Sequence, residues 1–324
     1  MSDKPRHHGP SRFRNNYPHQ RHGARDFLRF LWDWQRKPFA RIDFPLAGND
    51  PAFLAGNRTR PTLTWVGHST FLVQLGCLNV LTDPHFTQRA SPLAFAGPAR
   101  LAPPGLALRD VPPLDLVLIS HDHYDHLDEG SVAWLAQHHP RAVFAVPLGL
   151  RRWLQRLRAA NIVELDWWQA HSGHGFTVSA VPAQHFSGRG ATDRNRTLWC
   201  GFVVEIAGQR LFFAGDTGYS RDFADIGARF APIDLALLPI GAYAPRWFMH
   251  PMHVNPEEAV RIHRDIGARL SVAMHWGTFR LTEEPLDEPP KQLAAELERA
   301  GVPPENFWIM QHGETRRLPF PTAA

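Results

Sequence analysis

The chain has 324 residues, 44% of them hydrophobic, with two cysteines and a formal net charge of +4. That length and apolar content support a large core, and two thiols are too few for a disulfide framework. No stretch approaches the roughly 18 apolar residues of a membrane span, and the opening MSDKPRHHGP lacks the apolar region of a signal peptide, so a cytoplasmic protein is expected.

The charge is unevenly placed. Residues 1–60 carry twelve Lys/Arg against five Asp/Glu, and the remainder 23 against 26. A basic front of this kind suits anionic lipid, nucleic acid or plain solvent. Met1–His22 is polar and His-rich, and is expected to be mobile until it docks. In DFLRFLWDWQ at Asp26–Gln35, Phe27, Phe30, Leu31 and Trp34 fall on one helical stripe. Trp32 widens the stripe, and Arg25, Arg29 and Arg36 lie near it. Such a helix either packs on the body or touches a lipid surface. Residues 1–60 are therefore read as a basic N-terminal extension with a short amphipathic helix, and 61–324 as the main domain.

From Pro61 the pattern becomes regular. Strands are expected at Thr62–Gly67, Thr70–Gly76 and Cys77–Asp83, followed by a Pro- and Ala-rich excursion from Pro84 to Pro113 of the kind that borders a pocket. Cys77 and Cys200 both fall in strand-like segments and read as buried free thiols. LDLVLIS is a buried strand ending in SHDHYDHLD. Helices are expected at Glu129–His138, Leu150–Ala159, Pro256–Asp265 and about Pro290–Ala300. Further strands are expected at Ala142–Pro147, Asn161–Leu165, Phe176–Pro182, Leu198–Ile206, Arg210–Ala214, Leu235–Gly241, Arg269–His275 and Phe307–Met310. The arginines of Leu150–Ala159 read as a solvated face. Two facing sheets with helices outside fit this order.

The chemistry concentrates at Ser120–Asp128. His121 and His123 are spaced to point the same way in an extended segment, and Asp125 and His126 follow where the chain must turn. These are two ligand pairs, enough for two adjacent metals, with Asp122 pointing away and Asp128 spare. A buried strand ending in so many ionisable groups needs a use for them, because buried charge is costly unless paired or ligated. Other ligand candidates stand after apolar strands: His185 after VSAVPAQ, Asp216 after LFFAG, His275 after SVAM. Asp216 is the natural bridge, since a carboxylate joins two cations and lowers their repulsion, and Gly215 and Gly218 let the chain turn around it. The donors are all nitrogen and oxygen. Two zinc ions fit best, with manganese or iron as alternatives; two-metal hydrolysis follows, and redox chemistry at iron stays open, although no flavin-binding segment is present.

HDHYDH, with His185, Asp216 and His275 in order, resembles the signature of the metallo-β-lactamase superfamily. The segments GHSTFLVQ, LTDPHF, PAQHFSGRG, FFAGDTGYS, IGAYAPRWFMHPMHVNPEEAVRIHRDIGA and SVAMHWGTF are similar to its branch of N-acyl-phosphatidylethanolamine-hydrolysing phospholipases D, over roughly Pro61–Phe279. The resemblance implies an α+β fold, a four-layer αββα sandwich, with the site at one edge. It implies one zinc at His121, His123 and His185, another at Asp125, His126 and His275, and Asp216 between them. It also implies a phosphodiesterase that releases an N-acylethanolamine and phosphatidic acid, with Asp125 and Asp216 orienting the nucleophile. The chain departs from the branch at Met252, where the mammalian enzyme carries Gln, and in the composition of the Pro84–Pro113 loop.

His253 is a candidate phosphate contact or proton donor, or else packs its turn. Tyr219 and Tyr243 are candidates to line the pocket, Arg246 to meet an anionic substrate or form an ion pair, and Trp276 to support His275. Expected partners are a phospholipid or other phosphodiester, a peripheral anionic membrane surface at the inner face, and a second copy of the chain. No nucleic acid is expected, because the aromatic–basic repeat of a nucleic-acid groove is missing. A lactonase or a hydrolase of a small phosphodiester is the alternative the ligand set leaves open.

Overall fold

The structure, a computed structural model, describes residues 5–321. The remaining residues of the spans 1–60 and 61–324, at the two ends of the chain, lie outside the described residues. In chain order the elements are α1 (Ala24–Arg36), α2 (Pro51–Gly56), β1 (Thr62–Gly67), β2 (Thr70–Leu75), β3 (Leu78–Thr82), β4 (Leu116–Leu118), α3 (Glu129–His138), β5 (Val143–Pro147), α4 (Arg151–Arg156), β6 (Asn161–Leu165), β7 (Ala170–Gly173) and β8 (Phe176–Val181). They continue with β9 (Gly201–Ile206), β10 (Gln209–Phe213), α5 (Asp222–Phe230), β11 (Ile233–Pro239), α6 (Arg246–Met249), α7 (Pro256–Asp265), β12 (Ala268–Met274), α8 (Glu288–Ala300), β13 (Phe307–Trp308) and β14 (Thr315–Arg317).

Two seven-stranded sheets form, in the orders β14-β1-β2-β3-β4-β5-β6 and β13-β12-β11-β10-β9-β8-β7. Alternation explains how they stack. Along β2, Phe71, Val73 and Leu75 enter the core shared with the second sheet, where Trp199, Phe202 and Phe213 lie. Leu72 points the other way, into a cluster with Val132 and Leu135 of α3 and Leu154 of α4. A strand buried on both faces needs apolar residues at every position, which is why these runs read as continuous. On the far side Ala259 and Ile262 of α7 and Leu293 and Leu297 of α8 join the main core. The result is helices, sheet, sheet, helices: the expected four-layer αββα sandwich.

Strand direction decides where the site can be. β3 to β6 run parallel, and β1 shares their direction because β2 is antiparallel to both neighbours. In the second sheet β8, β10, β11 and β12 likewise run together, with β9 reversed between β8 and β10. The C-terminal ends of these strands gather at one edge of the sandwich.

Several expectations change. Cys77 is exposed and only Cys200 is buried, although both are free thiols. Cys77 belongs to the β2–β3 turn, not to β3: Gly76 and Cys77 have φ of 57° and 65°, the pairing that a two-residue hairpin of matching twist requires. The segment after Pro5, expected to be mobile until it docks, is docked on the body by polar contacts. His7 Nε2 and His8 Nε2 lie 2.6 and 2.8 Å from the two oxygens of Asp166, Asn16 donates to Asp222 at 2.8 Å, and the Tyr17 hydroxyl donates to Asp225. Charge and side-chain hydrogen bonds, which leave no periodic signal, hold it.

The amphipathic helix α1 uses part of its stripe. Phe30 is buried and stacks on Phe248 of α6 at 4.8 Å, with Leu31 and Trp34 beside it. Phe27, expected on the same stripe, is 50% exposed, as are Leu28 (64%) and Trp32 (58%). The short elements α2, β7, α6 and β14 carry no strong periodicity; α5 does, with Phe223, Ile226 and Phe230 on one helical face against the core, although it was not among the expected helices. β14, reading TRR, forms by backbone pairing with β1, joined by a Thr64 Oγ1–Thr315 Oγ1 contact at 2.8 Å.

Candidate metal centre

The side chains at the strand ends converge. His68 follows β1, Asp83 follows β3 and His121–His126 follow β4, all from the first sheet. His185 follows β8, Asp216 follows β10, His253 lies beyond β11 and α6, and His275 follows β12, all from the second. All seven residues expected as ligands are brought together, and His253 joins them. His121, His123 and His185 form one group whose donor atoms lie within 4.8 Å of one another, and His68, Asp125, His126 and His275 form another.

In the first group His123 Nδ1 is 2.9 Å from His121 Nε2 and 3.2 Å from His185 Nε2. In the second, Asp125 Oδ2 is 3.0 Å from His68 Nε2, 3.3 Å from His126 Nε2 and 3.4 Å from His275 Nε2. Asp216 lies between them. Its Oδ2 is 3.1 Å from His126, 3.8 Å from His185 and 4.0 Å from His121, and its Oδ1 is 3.1 Å from His275. His253 Nδ1 stands 3.8 Å from Asp216 Oδ2.

Outer contacts aim the rings. His185 Nδ1 donates to the Met252 carbonyl at 2.9 Å, which leaves Nε2 free toward the cavity. Because that contact is to backbone, it does not depend on the side chain at 252. Asp83 Oδ2 holds His126 Nδ1 at 2.6 Å, so His126 also presents Nε2. Asp83 thus sits behind His126, although Asp83, His121 and His126 also lie close enough together to count as a ligand group. Asp83 further accepts from Ser120 N at 2.7 Å and Ser120 Oγ at 2.6 Å.

The electrostatics ask for cations. Burial keeps the first-group imidazoles neutral, pushing His123 down to about 4, His185 to about 3 and His121 well below its ordinary value; it also takes His253 to about 3. For His126 and His275 burial opposes the charge, but Asp216 and Asp125 outweigh it, raising His126 well above its ordinary value and His275 to about 9. Burial likewise works against ionised Asp125 and Asp216, yet the His126 and His275 imidazoles hold both well below the usual carboxylate range. Among the described residues every ion-pair partner of these two carboxylates is a histidine. His126 Nε2, His275 Nε2 and Asp216 Oδ1 are buried without a hydrogen-bond partner. Inward-facing donor atoms without partners, set around two carboxylates, fit a metal site.

The backbone is strained here. His68, Asp83 and His275 have φ of 52°, 27° and 62°, sparsely populated for non-glycine residues. Gly215 also turns left-handed, at φ 61°, and a Cβ there would lie 2.7 Å from Ser120 Cβ. Gly218 serves differently: it has no positive φ, but a Cβ would meet the Pro251 carbonyl oxygen at 2.5 Å. Gly215→Ala is expected to lose about 1–2 kcal/mol from the left-handed backbone and more from displacing Ser120. Denaturant unfolding measures it, and wild-type stability would refute the account.

Other candidates fall outside the cavity. Asp122 accepts from Gly188 N and Thr197 Oγ1, each at 2.7 Å, and ties two loops together. Tyr219 donates to Asp265 under the Arg261 guanidinium, and Tyr243 donates to Glu288 at 2.6 Å, so neither hydroxyl faces the site. Arg246 pairs with Glu258 at 2.8 Å and donates to the His253 carbonyl at 2.8 Å; it seats His253 instead of awaiting an anion. Trp276 packs on Trp65 at 5.1 Å. The Pro84–Pro113 excursion does border an open cleft, of about 320 Å³, with Leu93 on one side and Tyr124 and Arg189 on the other. His68 and Asp83 were not among the expected site residues, although each stands directly behind a strand, as the expected ones do.

Comparison with known proteins agrees with this geometry. The model of the beta-lactamase superfamily domain matches residues 78–276. An uncharacterized protein of Mycobacterium tuberculosis is 44% identical over 283 residues, covering 85% of this chain and 74% of that one. The N-acyl-phosphatidylethanolamine-hydrolyzing phospholipase D 1 of Caenorhabditis elegans is 40% identical over 263 residues, 78% of this chain and 74% of that one. Among solved structures, the metallo hydrolase Igni18 of Ignicoccus hospitalis superposes with a TM-score of 0.60 at 23% identity, over 81% of this chain and all of that one.

Proposed function

Because the chain belongs to the beta-lactamase superfamily, as a metal-dependent hydrolase of the metallo-β-lactamase fold, we propose that it is a binuclear phosphodiesterase of phospholipase D type. Its substrate is N-acyl-phosphatidylethanolamine and its products are an N-acylethanolamine and phosphatidic acid. The observation that carries the reading is Asp216, a buried carboxylate set between two groups of metal donors. The likeness to the nematode phospholipase D supports the choice of substrate.

His121, His123 and His185 would hold one zinc and Asp125, His126 and His275 the other, with Asp216 shared. Two such cations supply a hydroxide nucleophile at neutral pH and neutralise the non-bridging oxygens of a phosphodiester. The chain's own residues do the rest. Asp125 and Asp216 accept the hydrogen bond that orients the attacking water toward phosphorus. Asp83 and the Met252 carbonyl fix the tautomers of His126 and His185. His253, whose Nδ1 has no partner, faces the same cavity; kept neutral by burial, it meets the substrate phosphate by a hydrogen bond, and the leaving alkoxide takes its proton from water.

The lipid partner enters through the N-terminal helix. Exposed Phe27, Leu28 and Trp32 form an apolar edge, with Arg36 over the Trp32 ring and Arg29 over Trp247. α1 rests on α6, just ahead of His253 in the chain, so a bilayer touching α1 would present its headgroups near the site. No helix among the described residues is long and apolar enough to cross a membrane.

The test is product analysis by mass spectrometry on vesicles of N-acyl-phosphatidylethanolamine and ordinary phosphatidylethanolamine. Zinc-loaded protein is expected to release N-acylethanolamine and phosphatidic acid, and chelator-stripped protein to lose at least about a hundred-fold of that rate. Turnover of a lactone but no phosphodiester would move the assignment to the carbonyl chemistry the ligand set also permits.

A further inference from the structure

The N-terminal segment reaches the metal centre itself. We propose that Asn15 is a positioning residue: its amide holds both backbone groups of His185 and thereby fixes the placement of that ring. Asn15 Oδ1 accepts from His185 N at 3.1 Å, and Asn15 Nδ2 donates to His185 O at 3.0 Å. The same Oδ1 accepts from the buried Trp199 indole at 3.0 Å, which orients the amide. One side chain therefore does for His185 what a neighbouring strand would do.

His185 needs this help. β8 ends at Val181, and beyond it only Gln184 makes a bridge, to Gly218, so His185 lies in irregular backbone. Its N–H and C=O are paired by no strand, and the residue is 98% buried. Unpaired, those groups would be costly, and the segment would relax toward water or other partners. The ring would then shift from its place beside His123, even with the Met252 carbonyl still holding Nδ1.

Asn15 is itself held on both sides. His7 and His8 grip Asp166 upstream, Phe13 N donates to the Asn195 carbonyl at 2.8 Å, and Asn16 and Tyr17 grip Asp222 and Asp225 downstream. The basic front of the chain is thus more than a surface arm, because part of it completes the support of a ligand 170 residues away. The inference rests on the reading of His121, His123 and His185 as zinc ligands.

The experiment uses the full chain as wild type, Asn15→Ala, Asn15→Gln and a His7→Ala/His8→Ala double variant. Zinc affinity is measured stepwise by competition with a chromophoric chelator, and cobalt(II) spectra report the ligand geometry. Asn15→Ala is expected to weaken one of two zinc ions by about ten- to a hundred-fold, the usual effect of losing an outer contact to a metal ligand, and to change the cobalt spectrum. Asn15→Gln keeps the polarity but is one methylene longer, so it should fail in the same direction; it carries the test if the alanine variant does not fold. The double variant removes only the upstream grip; Phe13, Asn16 and Tyr17 still hold Asn15, so zinc affinity should fall clearly less than in Asn15→Ala. Wild-type affinities and spectra in Asn15→Ala or Asn15→Gln, whatever their melting temperature, overturn the proposal. So does an equal loss in the double variant, which would assign the effect to the segment as a whole. A wild-type chain binding one zinc overturns the binuclear reading alone, since the Asn15 variants are still read on that ion. Binding of none overturns both.

Discussion

Replacing Asp216 with Asn is expected to lower turnover by about a thousand-fold or more while leaving the fold intact. The substitution keeps shape and volume and removes one negative charge. That charge is the one both donor groups share: Asp216 lies within 4.0 Å of His121, His126, His185 and His275. An amide nitrogen cannot ligate, and on the proposed binuclear reading a neutral amide would leave two neighbouring cations repelling each other. Losing metal-derived stabilisation of several kcal/mol is enough, since about 4 kcal/mol is a thousand-fold in rate. The check is kcat on zinc-saturated variant together with its zinc content, which should fall by one ion per chain. Activity within tenfold of wild type at full zinc loading would remove Asp216 from the mechanism.

Asp83→Ala is expected to be the most damaging substitution outside the ligand set. Asp83 is fully buried and accepts three hydrogen bonds, from Ser120 N, Ser120 Oγ and His126 Nδ1. Removing it leaves three buried donors without an acceptor and cuts a buried ionisable pair, which typically costs about 3–5 kcal/mol. The His126 ring also loses the contact that turns Nε2 inward. Both a lower denaturant midpoint and weaker zinc uptake should follow. A loss below about 1 kcal/mol with unchanged zinc uptake would falsify the view that Asp83 supports the centre.

How much of this could be read from the chain varies by residue, for physical reasons. His121, His123, Asp125 and His126 announce themselves because polar ligands crowd the end of an apolar strand, and a buried strand tolerates that only for a purpose. His185, Asp216 and His275 follow the same rule singly. His68 and Asp83 obey it too, behind TLTWVG and LNVLT, and that one rule applied to every strand would have found them. The αββα layering is legible because strands buried on two faces are apolar throughout. Arg246 and Tyr219 look available in sequence only because their partners Glu258 and Asp265 are set by the packing of loops and helices. Asn15 leaves no signal at all. It works through the backbone of a residue 170 positions away, and neither composition nor periodicity encodes such a contact.

Because each sheet contributes about half of the inward-facing donors, any ion held there is a cross-link between the two halves of the sandwich as well as a reagent. Its binding free energy adds to folding by mass action: at a free concentration a thousand times its Kd, one ion contributes about 4 kcal/mol. A cell short of that metal would therefore lose the protein, not just its activity, since chains that open more often are cleared sooner by proteases. Abundance would then follow metal supply, and regulation by starvation would need no dedicated sensor.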